Sequence, residues 1–158
     1  MLTELITPTQ QSLIYHDAEA YRYLSEFFVT PPQQVAIFID RNLTPAMYQP
    51  YLEQFPNAQY RLLDGGESHK TLQDYQLVVD QLLQWNIHRD GWVMVIGGGT
   101  LLDLVGFVCA TYLRGIRYIS VPTTTLSQID AAVGGKVAIN YQLKNALGAF
   151  HQPALVLI

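Results

Sequence analysis

Three consecutive glycines, Gly97 to Gly99, follow the short apolar segment Trp92 to Ile96 and precede a second apolar segment. Glycine allows the backbone to approach a ligand closely, because no Cβ is in the way, and the first amides of a helix attract phosphate groups. The arrangement therefore predicts a strand-to-helix turn that binds a pyrophosphate. It departs from the common G-x-G-x-x-G pattern, and a tight turn without any ligand is the alternative interpretation.

A carboxylate, Asp103, follows this turn inside the apolar segment Leu101 to Leu113, which predicts a buried helix. We expect Asp103 in the first turn of that helix. Burying a carboxylate without a partner costs several kcal/mol, so Asp103 needs either the positive end of the helix or a ligand group. Contact with a ribose or a nicotinamide is the second of these interpretations.

Polar side chains follow two other predicted strands. Thr123 and Thr124 come after one strand, and we expect their hydroxyls beside the glycine turn, where they either bind phosphate or cap a helix. Asp40 and Asn42 come after another strand, where a carboxylate either holds a ribose or forms a turn.

Two glycine-containing segments bring opposite charges together. The first, Asp64 to Lys70, places Glu67 and Lys70 just before a predicted helix, and without a ligand these two are expected to pair with each other. The second, Asp130 to Lys136, contains a carboxylate, a Gly-Gly pair and a lysine within seven residues. On its own this second segment is also compatible with a surface salt pair and a turn.

Composition excludes several classes of function. The formal net charge is -4 and the nine Lys and Arg residues are scattered, so no nucleic-acid surface is predicted. The apolar segment Leu101 to Leu113 is too short to span a membrane. The single cysteine, Cys109, excludes an internal disulfide and fits a reducing, cytoplasmic location. Charged residues make up only 14%, against roughly 25% in a typical soluble domain, which indicates a surface covered by a partner.

Neither a metal site nor a covalent nucleophile is predicted. The histidines lie far apart in the sequence, and none is at metal-ligand spacing from a carboxylate or a cysteine. They are His16, His69, His88 and His151. No G-x-S-x-G turn occurs and Cys109 lies in an apolar segment, so covalent catalysis is not expected.

The spacing of apolar residues predicts the strands and helices that position these residues. Runs rich in β-branched residues predict buried strands at Val35 to Ile39, Trp92 to Ile96 and Tyr118 to Val121. Weaker strand candidates are Tyr60 to Leu63 and Leu155 to Ile158.

Helical periodicity fills the intervals between the strands. Thr71 and Asp74 predict the start of a helix whose apolar residues recur every three or four positions up to Leu83. Thr44 followed by Pro45 predicts another helix start, and the N-terminal thirty residues are expected to add an edge strand and a helix. Alternating strands and helices predict a doubly wound, Rossmann-like α/β domain, with a mainly parallel sheet and helices on both faces.

The order and spacing of these motifs resemble the 3-dehydroquinate synthase family from about Asp40 to the last residue. The segments that carry the resemblance are DGGESHKTL from Asp64, IGGGTLLDLVGF from Ile96, YLRGIRYISVPTTTL from Tyr112, QIDAAVGGKVAIN from Gln128 and KNALGAFHQP from Lys144. Members of this family bind NAD in an α/β N-terminal domain and a divalent metal, zinc or cobalt, in a helical C-terminal domain. The resemblance implies that residues 1–158 are the NAD-binding domain and that the all-helical metal-binding domain is absent.

The resemblance also implies an activity, which is the NAD-dependent cyclisation of a seven-carbon sugar phosphate to 3-dehydroquinate with loss of phosphate. By position, the NAD contacts fall on Asp40, Asn42, Gly66, Glu67, Lys70, Gly98, Gly99, Thr100, Asp103, Thr123, Thr124 and Lys144. The catalytic and substrate-facing positions are Asp130, Lys136, Asn145 and Arg114. Arg114 is expected to reach the substrate phosphate in the neighbouring subunit of a homodimer, and the metal ligands lie beyond this chain.

Three alternatives stay open. Another sugar-phosphate cyclase shares the NAD-binding half, and Ala131, Ala132 and Val137 differ from the residues usual in 3-dehydroquinate synthases. The iron-type alcohol dehydrogenases have a similar glycine turn but do not match the segment that begins at Lys144. A non-catalytic nucleotide-binding or assembly module would bind NAD without any turnover.

Overall fold

The computed structural model of the chain describes residues 1–6 and 11–158. In this part of the chain the strands are β1 Leu2–Ile6, β2 Gln11–Tyr15, β3 Val35–Asp40, β4 Gln59–Leu63, β5 Trp92–Gly97, β6 Arg117–Pro122, β7 Lys136–Tyr141, β8 Leu143–Phe150 and β9 Leu155–Leu157. The α-helices are α1 Leu24–Phe27, α2 Pro45–Glu53, α3 Leu72–Gln84, α4 Gly99–Thr111 and α5 Thr125–Ile129. Short 3-10 turns cover Ala20–Tyr23, Glu67–His69 and Tyr112–Arg114. None of the helices among the described residues has the length and apolar character needed to cross a membrane.

Seven strands form one sheet in the order β1-β2-β9-β6-β5-β3-β4. In this order, every two neighbouring strands from β2 across the sheet to β4 are parallel, and the edge strand β1 is antiparallel to β2. The chain leaves β3 for β4 on one side and then continues with β5 and β6 on the other side of β3. The direction of winding therefore reverses between β3 and β5, which is where ligands bind in open α/β sheets.

Two apolar cores cover the two faces of this sheet. Alternate residues of β3 point to opposite faces, so Phe38 packs in one core and Ile37 in the other, and neither is exposed to solvent. The first core takes its helical partners from α3 and α4, including Val78 and Val105. The second takes them from the N-terminal turn and α1, including Leu24, and from the half-buried side of α2. The prediction of a doubly wound fold is confirmed.

Most of the predicted elements are confirmed. The three central strands and both weaker candidates are present. The Thr71 hydroxyl accepts a hydrogen bond from the Asp74 amide at 3.1 Å, and Thr44 is the N-cap of a helix with Pro45 in its first turn. The N-terminal region differs from expectation, because it contributes two antiparallel strands rather than one, and the α-helix beyond them is only four residues long. Residues 7–10 lie outside the described part of that region.

A two-stranded hairpin of β7 and β8 was not predicted. It begins directly after Gly135 and pairs Lys136 with Phe150 in antiparallel register. The hairpin rests on α4 at Gly106, where an added Cβ would lie 2.5 Å from Cγ1 of Val137. Glycine at this position therefore lets the hairpin approach the helix closely, and it places the hairpin beside the carboxyl ends of the parallel strands.

Candidate functional site

The glycine turn lies at the reversal of winding and is open. Gly97 ends β5 next to β3, where an added Cβ would lie 3.2 Å from the Cβ of Asp40. Gly98 is the N-cap of α4, and no side chain caps this helix. The amides of Gly99 and Thr100 belong to the first turn of α4, where no carbonyl of the helix itself can accept a hydrogen bond from them. This end of α4 therefore offers uncapped donors where the fold places ligands.

A cavity of about 250 Å³ opens beside the glycine turn. Its lining residues are Glu67, Lys70, Gly99, Thr100, Asp103, Thr124, Leu126, Ser127, Asp130, Ala131, Lys144 and Asn145. A larger cavity of about 560 Å³ adjoins it and is lined by β7, β8 and the loop before them. Asp103, Asp130, Ala131 and Asn145 border both cavities. The two spaces therefore lie side by side between the sheet edge and the hairpin, and we call them together the cleft.

The loop after β4 is fixed against the ends of β3 and α4. Gly65 lies so close to Asp40 that an added Cβ would be 2.4 Å from Oδ2 of the carboxylate. The Gly66 amide donates to the Thr100 hydroxyl at 3.1 Å, with φ of 103° at Gly66, a backbone conformation that favours glycine. Asp40 Oδ1 accepts from the backbone and side-chain amides of Asn42, both at 3.0 Å. Asp40 thus forms a turn, which is one of the two roles that the sequence predicted for it.

A buried lysine connects the loop, α4 and the hairpin. The Lys70 ammonium, only 3% exposed, donates to Asp103 Oδ2 at 2.5 Å and to Asn145 Oδ1 at 2.6 Å. The expected ion pair between Glu67 and Lys70 is wrong, because the 3-10 turn between them directs Lys70 inward and leaves Glu67 at the surface. Glu67 instead accepts a hydrogen bond from the side-chain amide of Asn140 at 2.8 Å.

Two carboxylates of the cleft, Asp103 and Glu67, have shifted pKa values. Burial raises the pKa of Asp103 above its usual range, against the opposing effect of Lys70, and the charges of Asp130 and Glu67 act in the same direction as burial. The hydrogen bond from Asn140 lowers the pKa of Glu67. Asp103 was expected in the first turn of its helix, which is wrong, because α4 begins at Gly99 and the carboxylate lies in the second turn. Its partner is therefore Lys70 rather than the helix end.

The threonines after β6 join the glycine turn from the neighbouring strand. The Thr123 amide donates to the Gly97 carbonyl at 2.9 Å. The Thr124 hydroxyl accepts from the Ser127 amide at 3.2 Å, and Ser127 Oγ accepts from the Thr124 amide at the same distance. Thr124 therefore caps α5, as one of its two interpretations predicted, while it also borders the smaller cavity.

The hairpin and the loop before it bring most of the predicted substrate-facing residues to the cleft. Asp130, Lys136 and Asn145 border the larger cavity, and Lys144 borders the smaller one beside Glu67. Among the described residues no ion pair joins Asp130 to Lys136, so the surface salt pair is wrong.

Arg114 is separated from this cleft within the chain. It is exposed, has φ of 68°, and follows the far end of α4, a helix whose 13 residues extend roughly 20 Å. The structure therefore does not bring Arg114 together with the other predicted residues of the same chain.

Asn140, which lies behind the residues that line the cleft, was not among the predicted site residues. Asn140 hydrogen bonds to both Glu67 and Asn145. Its signal in the sequence is that it interrupts the apolar run from Val137 to Tyr141. As for metals, no three His, Cys, Asp or Glu side chains in residues 1–6 and 11–158 come together as a metal site requires.

Fold and cleft define the class of the protein as a Rossmann-like α/β domain with a cleft at the carboxyl edge of its parallel strands. Residues 60–158 match the family profile described as 3-dehydroquinate synthase N-terminal. The 3-dehydroquinate synthase of Clostridium tetani is 38% identical over 154 residues, which cover 95% of this chain and 39% of that protein. The chain belongs to the 3-dehydroquinate synthase family, and it spans about two fifths of the length of the curated relatives it matches.

Solved structures of sugar-phosphate cyclases have the same fold. A 2-deoxy-scyllo-inosose synthase complexed with carbaglucose-6-phosphate, NAD+ and Co2+ superposes with a TM-score of 0.91 at 20% identity, over 99% of this chain and 45% of that chain. The 2-epi-5-epi-valiolone synthase ValA of Streptomyces hygroscopicus, with NAD+ and Zn2+ bound, gives a TM-score of 0.78 at 27% identity, over 100% of this chain and 45% of its own. The described chain therefore corresponds to somewhat less than half of each cyclase.

Proposed function

We propose that this chain is the NAD-binding N-terminal domain of a 3-dehydroquinate synthase and that it is inactive without a helical, metal-binding domain. The observation that carries the proposal is the uncapped glycine turn at the reversal of winding, open to a cavity flanked by Asp103, Lys144 and Thr124. Both cyclases described above were solved with NAD+. The family is that of the 3-dehydroquinate synthases.

The residues of the cleft fit the parts of NAD. The anionic pyrophosphate would lie against the amides of Gly98, Gly99 and Thr100, where no side chain competes for them. Asp40 and Asn42 stand at the end of the adjacent strand, where a ribose would lie. The remaining proposed contacts surround the cavity and the loops beside it. They are Gly66, Glu67, Lys70, Asp103, Thr123, Thr124 and Lys144.

The proposed reaction converts 3-deoxy-D-arabino-heptulosonate 7-phosphate to 3-dehydroquinate with loss of phosphate, as part of the shikimate pathway. Bound NAD would supply the transient oxidation of a substrate hydroxyl and the later return of the hydride. Lys136 and Asn145 border the larger cavity and would hold the anionic sugar phosphate, because an ammonium attracts carboxylate and phosphate groups. Asp130, on the same wall, would accept a hydrogen bond from the substrate.

The proposed partners of the chain are a metal-binding domain and a second subunit. Two apolar side chains that line the cleft are largely exposed, Leu126 at 70% and Phe150 at 81%, and so is Ile129, at 75%, next to Asp130 in the chain. Such an apolar rim fits a surface that a further domain covers, and the relatives have more than twice the length of this chain. That domain would hold the zinc or cobalt. In a cytoplasmic homodimer, Arg114 would extend into the neighbouring subunit's site.

A second candidate is another sugar-phosphate cyclase with a different substrate. Ala131 borders both cavities and Val137 borders the larger one, so the wall of the substrate space is less polar at these two positions than in the usual family pattern. A non-catalytic nucleotide-binding module is the remaining alternative. Turnover tests with different sugar phosphates distinguish a 3-dehydroquinate synthase from another cyclase. Turnover after mixing with a C-terminal half distinguishes both enzymes from a non-catalytic module.

Titration calorimetry with NAD tests the cofactor assignment directly. We expect weak but measurable binding to the parent and none to Gly99→Val, whose branched side chain would project towards Ala131 and into the cavity. Gly99→Ala is the matched control for folding, because its Cβ would find ordinary contact at 3.4 Å from the Ala131 Cβ. A folded parent that gives no heat at millimolar NAD would refute the assignment.

Mixing the chain with the C-terminal half of a relative tests the proposed activity. The chain would be combined with the separately produced C-terminal half of the Clostridium tetani relative, and phosphate release would be followed with NAD, Zn2+ and the heptulosonate phosphate present. We expect turnover from the mixture and none from either half. Turnover only with another cyclisable sugar phosphate favours the second candidate, and NAD binding without any turnover in the mixture favours the non-catalytic module.

A further inference from the structure

The β7–β8 hairpin is irregular at Asn140. Its cross-strand register passes from Ile139 opposite Leu147 to Tyr141 opposite Leu143, so Asn140 lies at a bulge without a partner in the ladder. The Asn140 amide donates instead to the carbonyl of Lys70 at 2.7 Å. The bulge therefore attaches the hairpin to the loop that carries the buried lysine.

The Asn140 side chain uses both ends of its amide group. Nδ2 donates to Glu67 Oε1 at 2.8 Å, and Oδ1 accepts from the backbone amide of Asn145 at 2.8 Å. Asn145 has φ of 54°, a left-handed conformation that asparagine adopts more readily than most residues other than glycine. Holding its amide in this way keeps the Asn145 side chain directed at Lys70, whose ammonium donates to Asn145 Oδ1 at 2.6 Å.

Only an amide side chain of this length meets both requirements at position 140. The position must donate to a carboxylate on one side and accept from a backbone amide on the other. An aspartate would accept from Asn145 but would repel Glu67, and an alanine would satisfy neither group. The chemistry of both neighbours thus specifies asparagine at the bulge.

We propose that Asn140 is a positioning residue of the nucleotide site, which holds Glu67, Lys70 and Asn145 in the arrangement that binds the cofactor. This inference rests on the proposed function, because Glu67 and Lys70 are contacts of NAD under that proposal and Asn145 is the neighbour that accepts from Lys70. Asn140 itself borders neither cavity and acts through its three partners. The residues of the glycine turn and of the strand ends, by contrast, would contact NAD directly.

Calorimetry with NAD on this chain tests the inference. Asn140→Ala loses two side-chain hydrogen bonds, so we expect its dissociation constant for NAD to rise by about tenfold. The control Asn57→Ala removes an exposed asparagine outside the cleft and is expected to keep the parent affinity. Circular dichroism checks that each variant is folded at the temperature of the titration.

A double-mutant cycle separates positioning from a general loss of structure. Asn140→Asp alone should weaken NAD binding as much as Asn140→Ala, because two carboxylates then face each other. In the Glu67→Gln background, Asn140→Asp should raise the dissociation constant for NAD by less than about threefold. The exchanged amide and carboxylate can then remake the hydrogen bond with donor and acceptor reversed. The readout is the ratio of affinities within each background, so any direct effect of Glu67 on NAD cancels.

The outcomes distinguish this inference from the proposal on which it rests. A folded parent that binds no NAD refutes the proposed function and this inference with it. A parent that binds, together with a folded Asn140→Ala variant of equal affinity, refutes the positioning role alone. Equal losses for Asn140→Asp in both backgrounds also refute it, because the hydrogen bond to Glu67 would then have no part in binding.

Discussion

The central sheet and the β7–β8 hairpin are stabilised in different ways. Every residue of β5 is buried, whereas all residues of β8 except Ala149 are exposed. The sheet is held by apolar side chains on both faces. The hairpin is held by the close contact of Val137 with Gly106, by Ile139, which is fully buried in the first core, and by the polar group around Lys70 and Asn140. Stability is therefore concentrated in the sheet, while the hairpin depends on a few specific contacts that also shape the cleft.

The largest expected difference between the two regions concerns phenylalanine. Phe38 is fully buried in β3, and truncation to alanine should reduce the free energy of unfolding by about 3–5 kcal/mol. Phe150 in β8 is 81% exposed, so Phe150→Ala should change it by less than about 0.5 kcal/mol. Urea unfolding followed by circular dichroism measures both values. Similar losses for the two variants would contradict the division between sheet and hairpin.

The buried ion pair should show the next largest effect. Asp103→Ala leaves the Lys70 ammonium, 3% exposed, without its carboxylate, and we expect a loss of about 3 kcal/mol in the free energy of unfolding. Asp103→Asn keeps an oxygen that can accept from Lys70, so its loss should be about 1 kcal/mol. Urea unfolding of both variants checks the difference, and an Asp103→Ala variant as stable as the parent would contradict it.

The contact between α4 and the hairpin predicts an effect that a second substitution relieves. Gly106→Ala would place its Cβ 2.5 Å from Cγ1 of Val137, and the resulting strain should cost about 1–3 kcal/mol. Amide hydrogen exchange should become faster in the hairpin and remain slow in β5. The double variant with Val137→Ala removes the opposing methyl group and should recover part of the loss. Purely additive losses would show that the two residues do not press on each other.

Two serines of equal burial supply the smallest contrast. Ser120 in β6 and Ser127 in α5 are each 1% exposed. The Ser127 hydroxyl takes part in the cap of α5, so Ser127→Ala should cost about 1 kcal/mol. Among the described residues the Ser120 hydroxyl has no hydrogen-bond partner, so Ser120→Ala should raise the stability by up to about 1 kcal/mol. Thermal unfolding of both variants tests the opposite signs.

The difference between the two regions also explains what the sequence could predict. The strands of the sheet were predictable because their apolar runs reflect burial on both faces. The glycine turn was predictable because three glycines at the end of such a run have few structural uses. In β8, by contrast, seven of eight residues are exposed, so the strand carries no periodic apolar signal.

The polar contacts of the cleft were out of reach for a physical reason. Lys70 is 33 residues from Asp103 and 75 residues from Asn145, so only the fold brings them together. Local reasoning paired Lys70 with Glu67, its nearest carboxylate, and was wrong. It also placed Asp103 one turn too early, because the helix begins within the glycines rather than after them.

Binding of NAD in the cleft between the glycine turn and the hairpin can be mapped residue by residue. At 17.8 kDa the chain is suited to amide NMR, and a titration with NAD would report on each backbone amide. We expect the largest shifts at Gly98 to Thr100, in the loop from Gly66 to Lys70 and at Lys144 and Asn145. Shifts confined to the opposite end of the sheet, around Phe55 and Pro31, or no shifts at millimolar NAD, would contradict it.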